Sequence, residues 1–365
     1  MISFELSEEQ RIVQSTLNEF AREVLRPASR RLDEDSRIDE PMLQALWSTE
    51  VIQSQAELAG ERRSSVTNAI ILEELAAGDA SLALAMASTM GVVQALVDQG
   101  SAGQRDALLP LFTGPGFNAA AIALMEPSFG REVLKFSTMA TRSGDTYTLS
   151  GAKSHVPLAS RCSHFLVVAE CDGAPDVLIV PSDTGGVKIG SPPGTLGLRP
   201  LEMAQVKFDE VKVPASMRLG EGNGADVQKI IDGARVGLSC IMAGLSRGVL
   251  EYAIPYVKER KVHGTALAQK QKIAFDIVDM HIDVEAMRWM NWKAAWRLEQ
   301  GDGEGDGEAT RMAQLAYTYA CHQTMITADN GVQTFGGHGF VREHPIELWY
   351  RNARSLSVLE GIAGV

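Results

Sequence analysis

The chain has 365 residues, 45% hydrophobic and 22% charged, with a formal net charge of −12. That length predicts two or three domains of an ordinary globular class rather than one small core. The acidic balance argues against a nucleic-acid partner, which needs a basic face.

No run approaches the ~18 consecutive apolar residues of a membrane span, and Met1-Ile-Ser-Phe-Glu5 lacks the basic start of a secretion signal. The four cysteines, Cys162, Cys171, Cys240 and Cys321, show no C-x-x-C spacing. They predict a reduced, cytoplasmic protein with inert thiols.

The first ~115 residues read as helices. Ser7 with Gln10 forms a capping box before an apolar periodic run through Leu25 that is expected to stop near Pro27. Val66 to Ala77 and Ser81 to Leu96 read as two further helices, the second rich in Ala and Met for close packing.

From about Gly116 to Gly224 the texture changes to short β-branched runs: 146–150, 165–169, 177–180, 187–189 and 205–209. Gly, Pro, Asp and Ser separate them, which predicts a small antiparallel β-domain. Gly220-Glu-Gly-Asn-Gly224 follows Val213-Pro214 rather than a core strand, so it reads as a linker turn and not a dinucleotide fold.

Helical periodicity returns around 226–262, 268–299 and 309–331, with a kink expected at Pro255. Gly301 to Glu308 looks superficially like a calcium loop, but Ala313 stands where a bidentate Glu is needed, so a flexible acidic hairpin tip is expected. Trp289, Trp292 and Trp296 share one helix face and predict core or subunit packing. The seven histidines show no convincing metal spacing, so no metal is expected. Ser154 and His155 are sequence neighbours and do not make a triad.

The last stretch carries the most chemistry. Gln333-x-x-Gly336-Gly337-x-Gly339 is a turn where backbone can lie against a ligand, and Glu360 stands in an apolar run before Gly361. This pattern resembles the C-terminal signature of the acyl-CoA dehydrogenases. Leu124-Met-Glu-Pro-Ser-Phe-Gly130, Leu196-Gly-Leu-Arg199, Val211-Lys-Val-Pro214, Arg235, Tyr256-x-x-x-Arg260, Asp279-Met280 and Arg351-Asn-Ala-Arg354 extend the resemblance over nearly the whole chain.

The resemblance implies an α+β fold: an N-terminal α-helical domain (1–116), a middle antiparallel β-domain (117–225) and a C-terminal four-helix bundle (226–365). It implies FAD as cofactor, an acyl-CoA substrate that undergoes α,β-desaturation, and electron-transferring flavoprotein as acceptor. It assigns Glu360 as the base at the substrate α-carbon, with the Glu360 backbone N–H and a flavin hydroxyl polarising the thioester. Burial is expected to raise the pKa of such a base.

In this family each flavin site is shared between two subunits. The adenosine-side residues are kept here as Arg260, Gln271, Gln333, Gly336, Gly337 and Gly339, with His263 where the family has an aromatic residue. The ring side departs from the family pattern. Met125 replaces a Thr that donates to flavin, Arg131-Glu132 replaces Ser-Asp, and His155-Val-Pro157 replaces Trp-Ile-Thr; Pro157 has no N–H to give. Val365 follows Glu360 by five residues, where the family normally continues into an interface helix, and Ile362 replaces a Thr.

These departures predict one subunit of a heterotetramer that lends adenosine-side residues to a second, ring-complete family member. Such pairs desaturate bulky, steroid-derived acyl-CoA. The alternatives are a homotetramer with Glu360 as working base, or a non-catalytic structural subunit.

Overall fold

In a computed structural model, residues 5–57, 64–128, 134–300 and 307–365 are described. Arg131, Glu132 and most of the acidic hairpin tip lie outside them.

The chain opens with α1 (Glu8–Phe20), α2 (Arg26–Asp35), α3 (Glu40–Trp47) and α4 (Val51–Glu57), followed by α5 (Ser65–Gly78), α6 (Ala80–Gln99) and α7 (Ala102–Leu108). The Ser7–Gln10 box closes in both directions, each bond at 3.1 Å. Pro27 does not end the helical path. A π-turn at Ala21–Leu25 loosens the regular ladder, and α2 restarts with Pro27 in its first turn, where a missing N–H costs nothing.

α6 is long and apolar enough to cross a membrane, with mean hydropathy 1.7, yet its apolar window is wholly buried by neighbouring elements. It is the core helix of the fold.

Seven strands form one sheet: β1 (Ala120–Ala123), β2 (Met139–Ser143), β3 (Thr146–Val156), β4 (His164–Cys171), β5 (Ala174–Pro181), β6 (Val187–Ile189) and β7 (Ala204–Pro214). The expected antiparallel domain is corrected here to a mixed sheet. The pairs β2–β3, β3–β7, β6–β7 and β4–β5 are antiparallel, but β1 and β2 run parallel along β4. β1 is four apolar residues buried on both faces, the burial typical of a parallel strand, and it offers no alternation to read.

The rest is α8 (Val227–Glu259), a hairpin of β8 (Lys261–Val262) and β9 (Thr265–Ala266), α9 (Gln271–Gln300), α10 (Glu308–Phe335) and α11 (Ile346–Leu356). Pro255 lies inside α8, as expected.

Two buried ion pairs bind α5 to the long helices. Arg247 of α8 meets Glu74 at 2.5 Å, and Arg288 of α9 meets Glu73 at 2.6 Å. Arg351 and Asn352 of α11 are committed to structure as well. Arg351 pairs with Asp33 and Glu347, each at 2.7 Å, and Asn352 Oδ1 accepts the Leu198 N–H at 2.8 Å.

Candidate functional site

Glu360 follows α11 in a segment that turns inward; Leu359 through Val365 are all buried. Its Oε1 accepts two bonds from Arg235 of α8, at 2.9 Å from Nε and 2.6 Å from Nη2. Arg235 also faces Asp232 at 3.8 Å, one turn back on α8. Burial pushes the Asp232 carboxyl up, against bonds from Thr310 and Gln228 and the charge of Arg235. The Tyr317 hydroxyl of α10 donates to the Leu359 carbonyl, so the backbone is also held just before Glu360.

The Glu360 backbone N–H is the expected thioester-polarising donor. It points instead at Met125 Sδ, 3.4 Å away. Met125 therefore does more than omit a flavin donor. Its thioether lies in the space between its own backbone and Glu360, and its carbonyl accepts the Ser154 N–H at 2.7 Å. Next to it the β3 ladder slips between Lys153 and Val156, with His155 exposed in left-handed backbone (φ 55) and Pro157 buried. Met125 thus occupies the donor that would polarise a thioester, and neither its side chain nor the Pro157 backbone has a hydrogen to donate to an isoalloxazine ring.

Beneath Met125 lies a buried pair that sequence reading missed. Lys153 Nζ is 2.9 Å from Glu126 Oε1, with side chains 0% and 5% exposed, and 3.2 Å from the Leu124 carbonyl. The ammonium also stands 4.6 Å from the Phe136 ring centroid. Burial alone would raise the Glu126 carboxyl. Lys153 and the N–H groups of Ser137 and Thr138 outweigh it and hold the pKa down to about 2. The lone Lys in an alternating strand gave no signal of this, because its partner is 27 residues away.

The adenosine-side residues separate into two groups. Arg260, Gln333, Gly336 and Gly337 line one concavity of about 420 Å³ with Tyr256, Val262, Ile273 and His338. Arg260 caps the end of α8 and is exposed; among the described residues its guanidinium has no carboxylate partner. Gly336 (φ 55) and Gly337 have nothing within 4 Å of an added Cβ, so their backbone is open to a ligand. An arginine without an anion beside bare backbone suits a pyrophosphate, and this half fits the dinucleotide end of FAD.

Gly339, Gln271 and His263 do not line that concavity. A Cβ on Gly339 would stand 2.5 Å from the Val332 carbonyl, so that glycine serves packing. Gln271 is the exposed first residue of α9. His263 (φ 53) and Gly264 (φ 82) make the turn of the β8–β9 hairpin, with His263 exposed.

The concavity is stiffened by a cluster that sequence reading also missed. Phe335 stacks on Tyr256 with centroids 3.8 Å apart, and the Tyr256 hydroxyl meets His338 Nδ1 at 2.9 Å.

Three family models match in order: acyl-CoA dehydrogenase N-terminal domain (7–114), middle domain (121–211) and C-terminal domain (222–365). Cyclohexane-1-carbonyl-CoA dehydrogenase of Geobacter metallireducens is 29% identical over 372 residues, covering 98% of this chain and 95% of the relative. The structure of butyryl-CoA dehydrogenase from Megasphaera elsdenii superposes with TM-score 0.86 at 26% identity, covering 98% of this chain and 95% of the other.

The same fold recurs in the FAD complex of PigA, with TM-score 0.86, 22% identity, and coverage of 98% of this chain and 95% of that one. FAD is bound in that PigA structure. Three domain models in order across 7–365, and relatives matched nearly end to end, place this chain in the acyl-CoA dehydrogenase family.

Proposed function

We propose that this chain is an acyl-CoA dehydrogenase subunit that lends Arg260, Gln333, Gly336 and Gly337 to a flavin whose ring is held by a second, unlike family member. The observation that carries the reading is the Met125–Glu360 contact on one side, set against Arg260 on the other, which has no carboxylate partner among the described residues. Bound FAD would supply the hydride acceptor for α,β-desaturation of an acyl-CoA, with electron-transferring flavoprotein taking the electrons onward.

In this chain Arg260 would hold the pyrophosphate, and the bare backbone of Gly336–Gly337 would let the dinucleotide approach. Glu360, ion-paired with Arg235 and with its N–H turned to Met125, is not the working base.

A partner surface supports the assembly. Phe275, Val278, Ile282 and Trp289 lie on α9, starting beside the concavity, and are 58%, 53%, 57% and 39% exposed. Apolar residues at that spacing form a helix face that a neighbouring subunit would cover. For the substrate we favour a bulky, ring-bearing acyl-CoA, steroid-derived side chains included. Cyclohexane-1-carbonyl-CoA dehydrogenase, 29% identical, is named for a ring-bearing acyl group, and short/branched-chain relatives stand at a similar 27%.

The test is flavin absorbance per chain after expression alone and with a ring-complete family member. Little flavin alone, and one FAD per unlike pair together, is the expected result. One FAD per chain in the lone protein would overturn the shared site and restore the homotetramer with Glu360 as base.

A further inference from the structure

Residues 361–365 follow Glu360 into a slot between α6 and α8. The slot is cut to backbone width. A Cβ on Gly91 of α6 would stand 3.1 Å from the Ala363 carbonyl oxygen, and one on Gly237 of α8 would stand 3.1 Å from that of Gly364. Gly364 itself leaves no room for a side chain, since its Cβ would lie 2.5 Å from Gly91 Cα.

At the inner end Gly361 turns in left-handed backbone (φ 71) against Leu124, where a Cβ would come within 2.8 Å. Ile362 fills apolar space at 1% exposure. Beyond the segment a cavity of about 220 Å³ remains, lined by Ile122, Gln94, Lys229 and residues 363–365.

Two features suit a removable occupant better than permanent core. The first is that the segment is irregular backbone held at its inner end by polar contacts, the Arg235–Glu360 pair and the Tyr317 bond to Leu359, so its seat depends on an ion pair. The second is Gln94, whose Nε2 is buried without a hydrogen-bond partner in that cavity wall. A ligand carbonyl entering that cavity would satisfy the donor.

We propose that residues 361–365 plug an acyl-binding slot between α6 and α8, with Arg235–Glu360 as the latch. The folded chain thereby keeps acyl-CoA out of its own slot. The acyl-CoA class rests on the function proposed above, while the plug rests on packing alone.

The experiment uses the full chain without flavin or partner, so its failure is separable from failure of the shared-site reading. In an I362C chain with Cys321→Ser, the new thiol should react with a disulfide reagent at least about a hundredfold slower than in urea. Adding Glu360→Gln should speed it by about tenfold or more. Labelling as fast as in urea, or unchanged by Glu360→Gln, would overturn the plug.

Calorimetry with octanoyl-CoA then reads the slot. The unmodified chain should not bind at about 100 μM, whereas Gly364→Val, whose Cβ collides with Gly91, should bind. Deletion of 362–365 should do the same, and near-ultraviolet circular dichroism checks that both variants keep the fold. Binding by the unmodified chain that Gly364→Val leaves unchanged, or no binding by either folded variant, would overturn the proposal.

Discussion

On the adenosine side, Arg260 has no carboxylate partner among the described residues and lies beside two glycines whose backbone faces open space. On the ring side, the equivalent groups are already used. The Glu360 N–H is given to Met125, its carboxylate to Arg235, and the segment that follows is buried between two helices. Both sides carry residues of the same family signature. The difference shows that occupying a motif position and being available for its chemistry are separate properties, and only the second depends on three-dimensional neighbours.

The closed side should also be the more costly to disturb. Lys153→Met would leave Glu126 buried without its cation, and breaking a buried pair this way costs about 3–5 kcal/mol. Urea unfolding measures it, and a loss below about 1 kcal/mol would show that the ring side is not built on that pair.

The same carboxylate predicts an acid limit. Its folded pKa is depressed from 4.5 to about 2, so the stability it contributes is fully present above the unfolded value. It is lost as pH falls from about 4.5 toward 2, amounting to about 3 kcal/mol. Denaturant midpoints across that window should fall for the parent and stay flatter for Glu126→Gln.

Arg260→Ala tests the open side with the opposite signature. The side chain is exposed and has no carboxylate partner among the described residues, so folding stability should move by less than about 0.5 kcal/mol. In the complex with a ring-complete partner, losing a charge-assisted phosphate contact should cost about 1.5–3 kcal/mol of flavin binding, tenfold or more in retention. Unchanged retention would remove Arg260 from the site.

On the closed side, Met125→Thr with His155→Trp should still give no stoichiometric FAD in the lone chain. Pro157 stays, and so do Arg235–Glu360 and the buried segment after it.

Much of this contrast was written in local sequence. The Ser7–Gln10 box, the long helices and most strands follow from caps and periodicity, which depend on neighbours a few residues away. β1 was unreadable because four buried apolar residues carry no period, and Pro27 misled because a π-turn just before it resets the helix. Met125 against Glu360 and Lys153 against Glu126 were out of reach for a different reason. Each joins distant parts of the chain, and a substitution such as Thr to Met states what was lost without stating what the new side chain touches.

The Gln333 motif shows the same limit at the scale of one turn, and a pair of small substitutions resolves it. Gly337 and Gly339 read alike as places where backbone meets ligand, yet their surroundings are opposite. A methyl at Gly339 would press on the Val332 carbonyl at 2.5 Å, so Gly339→Ala should cost about 1–3 kcal/mol of stability. A methyl at Gly337 meets nothing within 4 Å, so Gly337→Ala should leave stability within about 0.5 kcal/mol. If Gly337 faces the dinucleotide, that silent change should still weaken flavin retention in the paired complex. Normal retention in Gly337→Ala would mean that the open turn is simply solvent-exposed, and Arg260 would then carry the adenosine side without it.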